Sequence, residues 1–293
     1  MKRIFLFTLL LMSITAISAQ EADSTKIGTW KHSGSTGLNL SQTSLSNWSG
    51  GGDDAFAGNL YLNGKLEHKK GNWAWINTLA LEYGITSTKA QGAQKSTDKM
   101  ELATQLGYTT DNKWYYTAMA DFKSQFYKGY NYPNKENYIS KFMAPAYSNI
   151  SIGMEYRPKD SFFSAYFSPA AGKLTFVNDD YLSDLGSFGV DPGDKFKAEF
   201  GAYAKGTLEK NIMENVKLMS DANFFTAYDD SFGNIDIEWN VLISMKINKH
   251  LNASINTTLK YDDDVKYINT QGEKKGPKVQ FKEILGIGFG YNF

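Results

Sequence analysis

Residues 235–248 read IDIEWNVLISMKIN, and this stretch decides the fold. Ile235, Ile237, Trp239, Val241, Ile243, Met245 and Ile247 fall on one parity. Asp236, Glu238, Asn240, Ser244, Lys246 and Asn248 fall on the other, with Leu242 the exception. Period two over the whole run predicts a β-strand, because successive side chains point to opposite faces. Strands of soluble proteins usually run about five or six residues. A longer one, apolar on one side and charged on the other, suits a wall between lipid and water.

The N-terminus sets the compartment. Residues 1–19, MKRIFLFTLLLMSITAISA, place Lys2 and Arg3 before a short apolar core and then small residues. This is the pattern of a secretory signal peptide, too short in its apolar part to span a bilayer as a helix. The mature chain, 20–293, contains no later apolar stretch of the ~20 residues a spanning helix needs. A membrane protein without one must be a closed barrel, since only closure leaves no backbone group unpaired in lipid. Lys plus Arg is 31 and Asp plus Glu is 31, a zero balance that argues against nucleic acid as partner. Aromatics at 15% suit interfacial girdles. The absence of cysteine excludes disulfides, zinc–thiolate sites and a cysteine nucleophile.

About 12 alternating segments follow, near 30–42, 55–68, 73–87, 100–110, 114–127, 147–157, 162–177, 196–209, 216–229, 235–248, 251–263 and 279–293. Every second connection is short and rich in turn formers: 69–72, 111–113, 158–160, 210–215 and 249–250. The others are mostly long: 43–54, 88–99, 128–146, 178–195 and 264–278, with only 230–234 short. Alternating short and long connections fit an all-β, closed antiparallel transmembrane β-barrel of up-and-down topology, with short periplasmic turns and longer outer loops. Trp73, Trp75, Trp114, Tyr116 and Tyr156 sit beside short turns, where an aromatic girdle belongs. Pro169 with Gly172 predicts a bulge where the alternation slips. The last strand, VQFKEILGIGFGYNF, ends at Phe293, and terminal aromatic strands resemble the signal read by the outer-membrane insertion machinery.

Parity assigns the lumen. The inward set contains Lys65, Glu67, Glu82, Asp121, Lys123, Glu155, Arg157, Lys197, Glu199, Lys205, Lys217, Asp221, Asp236, Glu238, Lys246, Lys260 and Lys282. Two readings compete: a water-filled passage for polar solutes, and a ladder of ion pairs that fills the interior. Eight strands leave room only for side chains and sixteen leave an aqueous channel, so about twelve lies between. Balanced charge predicts weak ion selectivity.

Two outer loops stand out. One carries Asn47, Trp48, Gly50, Gly51 and Gly52, whose glycines permit close backbone approach. The other carries Tyr130 and Tyr132 and reads as structural. Acidic runs at Asp53-Asp54, Asp179-Asp180, Asp229-Asp230 and Asp262-Asp263-Asp264 lack calcium-loop spacing and read as solvated rim residues, so no metal or cofactor is expected. Catalysis is not expected either. His32 and His68 fall on the lipid-facing parity, His250 lies in a tight turn, and neither a Gly-x-Ser-x-Gly elbow nor a His-Glu-x-x-His helix is present.

Seven stretches together resemble a family of outer-membrane β-barrel proteins of unknown function from the Bacteroidota: 30–34, 47–52, 129–133, 144–147, 168–177, 199–203 and 280–283. The resemblance implies the outer membrane, and supplies no activity or ligand residues. The leading expectation is a small channel or transporter for polar solutes in outer-membrane lipid. The alternative is a structural or interaction barrel with a filled lumen and partner-binding outer loops.

Overall fold

A computed structural model describes residues 28–44, 54–89, 91–268 and 274–293. The signal-peptide segment 1–19 and the loop residues Asn47, Trp48, Gly50, Gly51 and Gly52 lie outside the described residues. Twelve antiparallel strands form one closed barrel. They are β1 (Thr29–Thr43), β2 (Ala55–Lys70), β3 (Trp73–Thr88), β4 (Gly92–Thr109), β5 (Trp114–Ser124) and β6 (Ala146–Tyr156), followed by β7 (Phe163–Phe176), β8 (Phe196–Met213), β9 (Val216–Ala227), β10 (Asp236–Lys246), β11 (Leu251–Tyr261) and β12 (Gln280–Asn292). Each strand pairs with its neighbours in sequence, and β1 meets β12 through Ser35↔Asn292 to Asn39↔Gly288. Closure removes the edges that a sheet would otherwise expose to lipid.

The apolar parity forms the outer surface. Leu60, Leu102, Ile150, Phe167, Phe200, Trp239, Leu285 and Ile287 are all exposed there. At the short-turn end the outward aromatics touch one another in series: Trp30 stacks on His68 (4.3 Å), Trp73 meets Tyr108 (5.0 Å), and Trp114 meets Tyr156 (4.8 Å). An apolar belt with an aromatic rim is the outside of a membrane barrel. The opposite parity faces the lumen, because side chains from strands that are not neighbours touch only on that side (below).

The slip expected at Pro169 is a β-bulge. The register of β7 shifts against both β6 and β8 over Ser168–Ala170. Ser168 Oγ donates to the Ile152 carbonyl (2.8 Å) and accepts from the Ala170 N–H (3.2 Å), satisfying groups the ladder loses. Two glycines make the bend feasible. A Cβ on Gly153 would lie 2.1 Å from the Phe167 carbonyl oxygen, and one on Gly201 would lie 2.0 Å from that of Thr226.

Two expected boundaries were wrong. Residues 88–99 are not a long loop: β4 starts at Gly92, and only 89–91 connect it to β3. Residues 210–215 are mostly strand, since β8 runs to Met213. The β4 extension is polar on both parities (Gln94, Lys95, Asp98), and the β8 extension mixes Lys210 and Asn211 with Ile212 and Met213. In both, ladder pairing persists without a regular alternation to reveal it. Two small two-stranded pieces also form within loops, Gly129–Tyr130 with Tyr138–Ser140 and Lys266–Ile268 with Lys274–Pro277.

Gly153→Ala is expected to lose folded barrel outright, because the obstructing atom is backbone and cannot swing away; overpacking of this kind typically costs about 1–3 kcal/mol or more. Gly206→Ala, with nothing within 4 Å of the added carbon, is the matched control. Folded fraction after refolding into detergent, read by protease resistance, should separate the two.

Candidate functional site: the bridged lumen

The inward faces of β5, β7, β8 and β10 converge near the long-loop end. The bulge sets the parity there. Beyond Ala170 it turns Lys173 inward, opposite Asn149 on β6 and Glu199 on β8. Lys173 Nζ donates to Asp236 on β10 and to Asp262 (3.0 Å), and lies 3.7 Å from Glu199. Lys197 bridges Asp264 (2.6 Å) and Glu199 (3.3 Å). The acidic run is tied down by its own backbone, with Asp263 N–H donating to Asp236 (3.1 Å) and Asp264 N–H to Asp262 (3.0 Å). Asn234 donates to Asp263 (2.7 Å).

A second bridge spans the barrel. Lys123 on β5 donates to Glu238 on β10 at 2.7 Å. Around the closed wall, four strands separate β5 from β10 on one side and six on the other. The two side chains therefore come from nearly opposite walls and meet across the interior. Lys260 completes the strut at 3.3 Å from Glu238, and Lys99 pairs with Glu101 (2.9 Å) beside it.

The strut divides unlike halves. On the β5–β9 side the lumen is packed. Met119, Tyr166, Ala171, Tyr203, Phe225 and Ala227 form a buried cluster. Its hydroxyls are satisfied by Ser151 (Tyr166, 2.9 Å) and Asn223 (Tyr203, 2.6 Å). On the β10–β4 side inward groups reach water: Lys260 is 48% exposed, Lys65 43% and Lys99 33%. That side is lined by the amides and hydroxyl of Asn39, Asn59, Asn63, Asn240, Asn256 and Thr258 together with Glu82 and Lys282, with Asn240 accepting from Thr258 (2.9 Å).

The remaining inward charges have local partners. Asp121 accepts from the Asn149 N–H (3.1 Å) and side chain (3.0 Å), Glu82 from Asn59 (2.8 Å), Asp221 from Asn223 (3.0 Å) and Glu155 from Gln105 (2.6 Å). Arg157 lies over the Tyr115 ring (4.6 Å). Lys65 pairs with Glu67 (2.7 Å), and Lys217 with Glu209 (2.5 Å). Lys205 stands between Tyr166 and Asn223 in the register, and Lys246 is exposed at the end of β10. Lys282 faces inward opposite Thr258 and has no ion pair within 4 Å among the described residues.

Sequence parity misses the pivot of this site. Lys173 follows a slip that reverses its face, and only the Pro169 and Gly172 signal hints at the reversal. The acidic runs also need correction. Asp262 and Asp264 are not solvated rim residues; they are ligands of Lys173 and Lys197. Asp179 is the N-cap of a short helix α1 (Asp180–Asp184), accepting from the Leu182 N–H (2.9 Å), the Tyr138 hydroxyl (2.9 Å) and Lys141. It pins loop 177–195 to loop 125–145 over a small core of Ala144, Val177, Leu182 and Val190. Burial pushes the Asp179 carboxyl up, but the Lys141, Leu182 and Tyr138 hydrogen bonds outweigh it and hold the group below the usual aspartate range. Among the described residues no cluster of metal-ligating side chains forms. The tyrosine loop is bound into the same cap: the Tyr132 hydroxyl accepts from the Lys95 N–H (3.1 Å), and Tyr130 packs against Tyr132 at 6.0 Å.

A family model described as "Protein of unknown function (DUF3078)" matches residues 40–130. No curated protein matches the chain. Among solved structures, the COG4313 outer membrane channel from Pseudomonas putida F1 is similar at 10% identity and a TM-score of 0.42, covering 94% of this chain and 100% of that one. The NanC porin is similar at 9% identity and 0.38, covering 88% and 98%. The translocator domain of the autotransporter NalP from Neisseria meningitidis is similar at 10% identity and 0.36, covering 92% and 90%.

Lys173→Met should destabilise the barrel by about 3–5 kcal/mol, since it strands buried carboxylates without their cation. Denaturant midpoints should show much of that loss recovered when Asp236→Asn and Asp262→Asn are added. A pH titration checks the loop cap. The Asp179 contribution is fully present above an ordinary aspartate pKa of about 4 and is lost as pH falls through its lower folded value. Protease cleavage within 125–145 should rise only in that acid range, and Asp179→Asn should show the raised cleavage at neutral pH.

Proposed function

We propose that the protein sits in the outer membrane of a Gram-negative bacterium and passes small polar solutes through a narrow, off-centre path. The single observation that carries this reading is the Lys123–Glu238 strut, beside which one half of the lumen is packed and the other is lined by water-exposed polar groups. The apolar belt and aromatic rim support outer-membrane lipid as the surroundings. The short-turn end then faces the periplasm, and residues 1–19 serve as the export signal. The aromatic last strand ending at Phe293 addresses the insertion machinery. No catalytic role is assigned. Kinship with an uncharacterised Bacteroidota barrel family belongs to the same reading.

The path runs beside β10–β3, past amides and a hydroxyl with both signs of charge (Glu82, Lys282) among them, so it suits small polar solutes and selects only weakly between ions. A second reading, a structural barrel whose capped outer loops meet a partner, draws on the strut and on the aromatic cluster of the packed half.

Purified folded protein in a planar bilayer should show a small, weakly ion-selective conductance. The double variant Lys123→Ala/Glu238→Ala removes the strut, leaving only the water-exposed Lys260 without its partner, and should raise that conductance at least about twofold, since the bridge across the lumen is gone. Silence of the unaltered protein overturns the passage in favour of the structural barrel.

A further inference from the structure

The inward row of β12 contains Gly286, Gly288 and Gly290, and Gly37 of β1 pairs with Gly290 in the register. This patch of wall projects no side chain of its own into the lumen, and neighbours spread over the bare backbone instead. Tyr61 on β2 stands beside Gly37. A Cβ on Gly37 would lie 2.5 Å from the Tyr61 Oη and 2.6 Å from its Cζ, and a Cβ on Gly290 would lie 3.1 Å from the same Oη. The phenol therefore reaches sideways from β2 over β1 to β12, and lies along the wall rather than across the lumen. Asn39 covers Gly286 and Gly288, and Asn252 on β11 covers Gly290.

A half-buried ring lying along a wall offers the lumen an apolar face. The groups around it are polar. Asn39 and Asn252 border it toward β12, and Asn63, one inward step along β2, is exposed. Glu82 stands beside it on β3, with Oε1 accepting from Asn59 (2.8 Å). Amides donate and accept, and a carboxylate accepts, so this rim can bond hydroxyls in either sense. An apolar platform with such a rim is complementary to a pyranose ring, which carries C–H groups on its face and hydroxyls around its edge. An open-chain polyol has the hydroxyls but no rigid face to lay on the ring.

We infer that this patch is a saccharide-binding site inside the lumen, with Tyr61 as the platform for one pyranose face and Asn39, Asn63, Asn252 and Glu82 bonding its hydroxyls. The glycines of β12 and Gly37 are what let the platform lie along the wall. The site rests on the water-exposed half of the lumen proposed above, and names the class of solute which that half takes.

Saturation-transfer NMR on the full chain tests it, in an amine-oxide detergent that carries no sugar, with methyl glucoside as probe. Methyl glucoside should receive saturation, strongest at its ring C–H protons, while glycerol and glycylglycine at the same concentration should not. Tyr61→Phe should keep the transfer. Tyr61→Leu should weaken binding about fivefold, the loss of one ring-stacking contact. Protease resistance in the same detergent reports whether each variant is folded. Asn63→Ala, at an exposed position, gives a second reading, and should weaken binding about fivefold through one lost hydrogen bond. Unchanged binding in folded Tyr61→Leu overturns the platform, and unchanged binding in Asn63→Ala overturns the rim. Equal transfer to glycerol or glycylglycine overturns the saccharide class. No transfer to methyl glucoside in a protein that conducts overturns the site alone; transfer in a protein that does not conduct supports the site and overturns the passage alone.

Discussion

Hydrocarbon offers backbone groups no hydrogen bond, so each N–H and C=O of a spanning segment must find its partner within the wall. Almost everything in this molecule follows from that constraint. It forces the strands into one closed circuit, the circuit fixes a register at every seam, and the register fixes which side chains face inward. The charges that meet across the lumen are thus delivered by backbone pairing, and their mutual attraction only selects rotamers afterwards.

The interior is not a uniform lining. One side is built like the core of a soluble protein, with buried tyrosines and phenylalanine whose polar tips are bonded. The other keeps amides and hydroxyls against water. Lys123 and Glu238 brace the boundary from nearly opposite walls, and Lys173 with its carboxylates closes the packed side near the long-loop end. Buried ion pairs of this kind contribute little net stability compared with apolar replacements, but removing one partner is expensive. Their value here is geometric, holding the wall at one separation.

The barrel itself was legible because lipid writes a period-two pattern that survives over whole strands such as β10. Legibility failed where that pattern lapses. β4 climbs above the apolar belt, where both faces are wet, and residues 92–99 therefore read as loop. Lys173 sits past a bulge where the alternation slips, so parity gave it no face, and its ligands in Asp262–Asp264 looked like any acidic loop. The strut was half visible: both Lys123 and Glu238 were placed inward, but nothing along a chain announces that residues so far apart will touch.

The height of β4 has a consequence of its own. Its 18 residues at about 3.3 Å each span roughly 60 Å along the strand. Tilted by about 40°, that is roughly 45 Å of rise against an apolar band about 25 Å tall. The β3–β4 hairpin accordingly projects past the headgroups as a stiff blade, joined at its tip by only residues 89–91. An antibody or phage fibre approaching the cell would strike this ridge before reaching the barrel rim, and changes to its tip residues would alter that first encounter while leaving the lumen untouched.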